Sequence, residues 1–162
     1  MGRFQPFHKG HAYLIEKALD VCDAISIGIG SSDRNNDENP IDFKGRECII
    51  KKFIQVEKIS SRVMKIFGAP DVPDDNDWYD IIVNSVDKID VIIGNNEWVN
   101  NIFSAKGYRI VTIPYYNRPL FEGKRIRQLI HDGKTWENRV PTQVVNLIKP
   151  RLEKYYLKYT EE

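Results

Sequence analysis

The sequence predicts an α/β protein, a doubly wound parallel sheet with helices on both faces in one domain. Short apolar runs alternate with stretches of helical period along the whole chain. No internal repeat or low-complexity linker divides the 162 residues, a length that suits one domain with a proper core. A turn rich in phosphate-binding features leads directly into the first helix, which is where such folds hold ligands.

The elements follow in order. Leu14, Ile15, Ala18 and Leu19 share one face of a helix over residues 11–21. Residues 24–30 read as a buried strand. Ile49, Ile50, Phe53 and Ile54 form the stripe of a helix over 45–56. A weaker strand covers 62–67, and the acidic stretch Asp71 to Asp77 reads as a loop before a helix over 78–86. A strand over 89–94, a short helix over 97–105 and a strand over 108–113 follow, the last ended by Pro114. Helices are expected over 123–131 and, as a C-terminal segment, over about 140–158, broken or restarted at Pro150. Strands separated by helices give a parallel sheet. Met1 is followed at once by Gly2, so the strand that a ligand turn at Gly2 calls for is not visible. Whether the sheet tolerates its loss is open at this level.

Composition excludes several classes. Hydrophobic residues make up 41% and charged residues 29%, with 24 basic against 23 acidic side chains and a net charge of +1. That balance gives no case for a duplex nucleic-acid partner, which needs a basic face. No apolar run approaches a membrane span and no secretory segment is evident, so the cytoplasm is the expected compartment. Cys22 and Cys48 lack metal-ligand spacing and read as buried thiols.

The chemistry gathers in Gly2-Arg3-Phe4-Gln5-Pro6-Phe7-His8-Lys9-Gly10-His11. Gly10 lets a phosphate approach the backbone. The helix start near His11 offers unpaired N–H groups and a positive dipole end. Arg3 and Lys9 add fixed charge, and His8 and His11 can point to one side. As a metal pair the histidines lack an evident third ligand. The features together describe a polyphosphate site.

Gly2, Pro6, His8, Gly10 and His11 match the G-x-x-x-P-x-H-x-G-H form, which resembles the nucleotidylyltransferase superfamily signature. The longer run is most similar to archaeal-type nicotinamide-nucleotide adenylyltransferases. The likeness extends through Gly28-Ile29-Gly30-Ser31-Ser32, Asn39-Pro40, Gly45-Arg46, Trp78, Gly94-Asn95 and residues 132–136. The resemblance implies a Rossmann-like fold making NAD and pyrophosphate from ATP and nicotinamide mononucleotide. It implies Mg²⁺ held mainly through the ATP phosphates, no metal site of the protein's own, and a homo-oligomer, often a hexamer. It implies His8, His11 and Arg127 as catalytic and Arg3 as a phosphate ligand; Phe4, Lys9, Gly10, Lys124 and Arg125 complete the expected ATP site, the glycine and the cations on the chemistry of the residues themselves. Arg46, Trp78 and Asn95 would bind the mononucleotide. Trp78 would stack on the nicotinamide ring from an edge position, while Trp98 and Trp136 read as packing residues.

The later family motif, S-x-T-x-x-R, departs here: Glu122 and Lys124 replace the hydroxyl residues. Lys124 and Arg125 supply charge where the hydroxyls would stand. Two other readings remain open at this level. One changes the acceptor to phosphopantetheine, flavin mononucleotide or a cytidylyl acceptor, and the other is a module that senses nucleotides without turning them over.

Overall fold

The computed structural model describes residues 1–157. Chain order is α1 (Lys9–Val21), β1 (Ile25–Gly30), α2 (Phe43–Val56), β2 (Val63–Ala69), α3 (Asp75–Asn84), β3 (Val91–Ile93), α4 (Glu97–Ala105), β4 (Arg109–Val111), α5 (Gly123–His131) and α6 (Val145–Leu157). Every expected element is present; β3 and β4 are three residues each, shorter than expected, and caps set the starts of α2 and α3. The Asp42 carboxylate accepts the Gly45 N–H at 2.7 Å and starts α2 at Phe43. Asp74 accepts from the N–H groups of Asn76 and Asp77. The end of the acidic stretch is therefore a helix start, with anionic side chains at the positive end of the dipole.

Two further expectations need correction. Helix α6 runs through Pro150 without a break, after a short 3₁₀ turn at Thr142–Val144. The end of the span expected to 158 lies outside the described residues. Cys48 is exposed and Cys22 half-buried, both as free thiols, so neither is a core residue. Among the described residues no helix is long and apolar enough to cross a membrane.

All strand pairs are parallel, as expected of a Rossmann-like fold. β1 pairs with β2 from Ile25↔Val63 to Gly30↔Ala69, and β3 pairs with β4 from Val91↔Arg109 to Ile93↔Val111. Between the two pairs, Gly2 makes an isolated parallel bridge to Ile29. Its N–H donates to the Gly28 carbonyl at 3.1 Å, and its carbonyl accepts from the Gly30 N–H at 2.9 Å. These two bonds tie the ligand turn to the sheet at the place where a full strand was expected.

Two apolar clusters hold the layers together. One packs α1, α2, α5 and α6 around Ile27 and Ile29 of β1, with Phe7, Ile49, Ile126, Ile148 and Leu152 fully enclosed. The other packs α3 and α4 against Phe67 and Ala69 of β2 through Trp78, Ile82, Val99 and Phe103. Trp136 is buried in the first cluster, as a packing residue should be.

Candidate active site

Residues 2–11 leave the sheet at Gly2 and enter α1 at Lys9. Phe4 holds φ = 54°, a left-handed conformation costly for a residue with a β-carbon. Its ring, only 3% exposed, lies over Gly2 and 4.6 Å from the His11 ring. Phe4 was expected among the ATP ligands. Its buried ring instead forms the floor under His11, which leaves its backbone as the only part able to meet a nucleotide.

His8 is the N-cap of α1 and His11 its third residue, and together they form a reciprocal capping box. The His11 N–H donates to His8 Nδ1 and the His8 N–H to His11 Nδ1, each at 3.3 Å. This geometry is usually built from Ser or Thr with Glu or Gln. Each Nδ1 is thereby an acceptor, so in both neutral rings the proton sits on Nε2. The rings stack with centroids 3.6 Å apart and planes 19° from parallel, an arrangement that disfavours two positive charges. Burial pushes the His8 pKa down to about 4 against one opposing backbone hydrogen bond. Burial, then the His8 charge, then the Met1 ammonium hold His11 well below its ordinary range. The result is a pair of neutral imidazoles whose free donors are both Nε2–H.

The pair makes stability pH-dependent with a definite sign. Both folded pKa values lie below the unfolded value of 6.5, so the unfolded chain takes up protons first as pH falls. Stability contributed by the neutral pair is complete above pH 6.5 and is lost as pH falls toward about 4. His8 alone accounts for about 3 kcal/mol of that loss. Equilibrium urea unfolding at pH 7.5 and at pH 4.5 checks this, because a His8→Asn, His11→Gln protein should lose much less across that interval.

The second helix start meets the first. Gly123, at the beginning of α5, lies so close to the turn that a β-carbon there would stand 2.6 Å from the Gln5 carbonyl oxygen. A β-carbon on Gly10 would meet the His8 ring at 3.1 Å and Phe121 at 3.4 Å. Gly10 thus serves first to let the imidazole lie against α1. Arg127 reaches back to donate from Nη1 to the Gln5 carbonyl at 2.7 Å. Lys124 is exposed, as is Arg125, which donates to the Pro119 carbonyl at 3.0 Å. Glu122 caps α5 with its backbone but makes no side-chain cap bond, so the first N–H groups of α5 are left for a ligand. Gly123→Ala should cost about 1–3 kcal/mol of stability and reduce turnover. Helix propensity alone predicts the opposite sign for stability, so the melting temperature decides between them.

Gln5 was not singled out in the sequence, yet it positions the turn. Its side-chain amide donates to the Ile41 carbonyl at 2.6 Å and accepts the Ile41 N–H at 3.1 Å, imitating a strand pair. Only the isolated polar residue between Phe4 and Pro6 hinted at it, since its partner lies 36 positions away. Arg3 is exposed, 3.5 Å from Glu38, an ion pair weak enough to exchange for a phosphate.

The acceptor residues are placed differently from expectation. Arg46 is completely buried. It donates to the carbonyls of Arg3 (2.9 Å), Gly30 (2.7 Å), Ser31 (3.0 Å) and Asp42 (3.3 Å). It is a clamp joining the turn, the end of β1 and the start of α2, with four of its five N–H donors committed to backbone carbonyls. Trp78 is 4% exposed and packed on Phe103, while Trp98, 44% exposed, lies 4.6 Å from it. The indole at the edge is Trp98, with its Nε1–H on Asp75 at 3.0 Å. Asn95 commits its side chain to Ile113, donating to its carbonyl and accepting its N–H at 3.0 Å. A carboxamide ligand would have to displace that pairing. Among the described residues no three His, Cys, Asp or Glu side chains gather to hold a metal ion.

Parallel strands, a turn set between two helix N-termini and a neutral histidine pair are features that a nucleotidyltransferase would use, and the relatives place the chain in that class. Residues 1–129 match the cytidylyltransferase-like family. The chain is 33% identical over 149 residues to the nicotinamide-nucleotide adenylyltransferase of Thermoplasma acidophilum, covering 91% of this chain and 82% of that one. It is 30% identical over 153 residues to the enzyme of the same name from Archaeoglobus fulgidus, covering 92% and 88%. The chain therefore belongs to the cytidylyltransferase-like family, among the nicotinamide-nucleotide adenylyltransferases. In fold it is similar to a Francisella tularensis bifunctional NMN adenylyltransferase/ADP ribose pyrophosphatase, solved with AMP and a manganese ion. The TM-score is 0.82 at 23% identity, over 99% of this chain but about half (51%) of that one.

Proposed function

We propose that the protein transfers AMP from ATP to nicotinamide mononucleotide, giving NAD and pyrophosphate. The observation that carries the reading is the histidine capping box, which presents two Nε2–H donors beside the N-termini of α1 and α5. An oxygen of the mononucleotide's 5′-phosphate attacks the α-phosphorus of ATP, and the bond from that phosphorus to the bridging oxygen breaks, releasing pyrophosphate. The attacking phosphate is already ionised, so no general base is needed, and rate comes from positioning and charge stabilisation.

His8 and His11 donate to phosphate oxygens. Arg3, Lys9, Lys124, Arg125 and Arg127 balance the triphosphate charge, with Gly10 and the helix N–H groups close to it. Arg127 is also fixed to the turn through Gln5, so its guanidinium is preorganised. The basic donor set fits a divalent ion carried by phosphate and water better than one in a protein cage, and Mg²⁺ suits that description. Bound there, it would neutralise charge on the departing pyrophosphate. The acceptor lies at the carboxyl edge of β3, where Trp98 rather than Trp78 offers an exposed ring to a pyridinium. Assembly into a homo-oligomer, a hexamer by resemblance, belongs to the same reading.

Incubation with ATP, Mg²⁺ and each of three acceptors in turn tests this. NAD and pyrophosphate from nicotinamide mononucleotide support it. Product only from phosphopantetheine or flavin mononucleotide overturns the acceptor, and tight nucleotide binding without any product overturns the reaction.

A further inference from the structure

Trp98, the exposed indole that follows the carboxyl end of β3, is held in place. Its Nε1–H donates to Asp75 Oδ1 at 3.0 Å, and its ring lies 4.6 Å from the Trp78 ring with planes 56° apart. Trp98 belongs to the first turn of α4 and Asp75 is the first residue of α3, so this bond links the starts of two helices. Those helices follow the carboxyl ends of β3 and β2, where such sheets hold ligands. A hydrogen bond to an anion also polarises the indole and leaves its face more electron-rich. The ring is a preset platform for a cation.

The charge around this platform is mostly negative. Asp74, Asp75 and Asp77 stand at the start of α3 and Glu97 at that of α4, all of them exposed. Helix starts ordinarily attract anions, but here side chains already use part of that capacity. Asp74 accepts the N–H groups of Asn76 and Asp77, and the Asn96 side chain accepts that of Val99 at 3.3 Å. Lys106 reaches the same surface and is engaged there. Its ammonium donates to Asn76 Oδ1 at 3.0 Å and stands 5.1 Å from the centroid of the Tyr79 ring. A ligand over Trp98 is faced by carboxylates.

Resting on the reading that Trp98 carries the acceptor's pyridinium, we propose that Asp75 selects the substituent on that ring. It fixes the indole as a platform, and its charge favours a ring bearing a neutral carboxamide over one bearing a carboxylate. The two mononucleotides share the ribosyl pyridinium cation and the 5′-phosphate, and they differ by one negative charge on the ring. Repulsion between two carboxylates about 7 Å apart in a partly solvated site corresponds to about a tenfold difference in affinity. Asp75→Asn separates the two roles, because the asparagine Oδ1 still accepts the indole N–H while the charge is gone.

Binding, measured without turnover, tests the proposal. Nicotinamide mononucleotide and nicotinic acid mononucleotide are titrated in turn by calorimetry, with a non-hydrolysable ATP analogue and Mg²⁺ present. The parent protein should bind the amide at least about tenfold more tightly than the acid. Asp75→Asn should shrink that preference by about tenfold, chiefly through tighter binding of the acid. Asp75→Ala also frees the ring and should weaken the amide as well. An unchanged preference in Asp75→Asn, with the amide still weakened about tenfold in Trp98→Leu, overturns the proposal and leaves the acceptor's place standing. Full amide affinity in Trp98→Leu overturns both. Preference of the parent protein for the acid also overturns the proposal, and would assign the ring substituent to Arg118. That guanidinium lies 4.6 Å from the centroid of the Tyr115 ring, whose hydroxyl donates to the Asn95 carbonyl. Selective binding without NAD formation supports the role of Asp75 and overturns the proposed reaction alone.

Discussion

Replacing His11 with glutamine is expected to lower kcat/KM for adenylyl transfer by about 100- to 1000-fold while Tm moves by only about a degree or two. Glutamine at the third helix position can reach back to the N-cap N–H as His11 Nδ1 does now. The capping box survives, and only the Nε2–H donor that we propose meets phosphate is lost. Alanine is the poorer test. It would strand the His8 N–H and empty the space 4.6 Å from Phe4 and 5.9 Å from Phe7, which the longer glutamine side chain still partly fills. Steady-state kinetics and a melting curve on His11→Gln separate the two roles, and near-normal turnover would reduce the pair to a helix cap.

Arg46→Met should be the most destabilising single change near the site, by about 3–6 kcal/mol. Removing the guanidinium leaves the carbonyls of Arg3, Gly30 and Ser31 without these donors in a part-buried setting. Whole domains have only about 5–15 kcal/mol in hand. Arg46→Lys should recover a small part of the loss, because a single ammonium cannot spread its donors as the planar fork does. The measurement is the melting temperature of the ligand-free protein. A direct phosphate ligand would show the reverse pattern, with an unchanged melting temperature and a raised KM for the mononucleotide.

The elements were legible because their apolar stripes are local, and the turn because its histidines stand three apart beside a helix start. What escaped depends on partners far along the chain. Nothing near Gln5 announces Ile41, and nothing near Asn95 announces Ile113, 18 positions away. Arg46 reads as a mononucleotide ligand on α2 until the carbonyls of Arg3, Gly30 and Ser31 converge on it. The tryptophans exchanged places for a different reason. The acidic run before Trp78 suggested a solvated edge, but Asp74 is a cap. The helix it starts turns Trp78 and Ile82 inward together, and the exposed ring falls to Trp98.

The claim on which the site depends is that a neutral histidine pair, with both protons on Nε2, meets the triphosphate. Nitrogen chemical shifts of His8 and His11 in ¹⁵N-labelled protein, followed from pH 8 to pH 4, test this most directly. The expected result is the Nε2–H tautomer for both rings at neutral pH. His8 should gain its proton only near pH 4, and His11 should remain neutral well below its ordinary range. An imidazolium in either ring at pH 7, or a proton on either Nδ1, would contradict the reciprocal cap and the phosphate-donor role built on it.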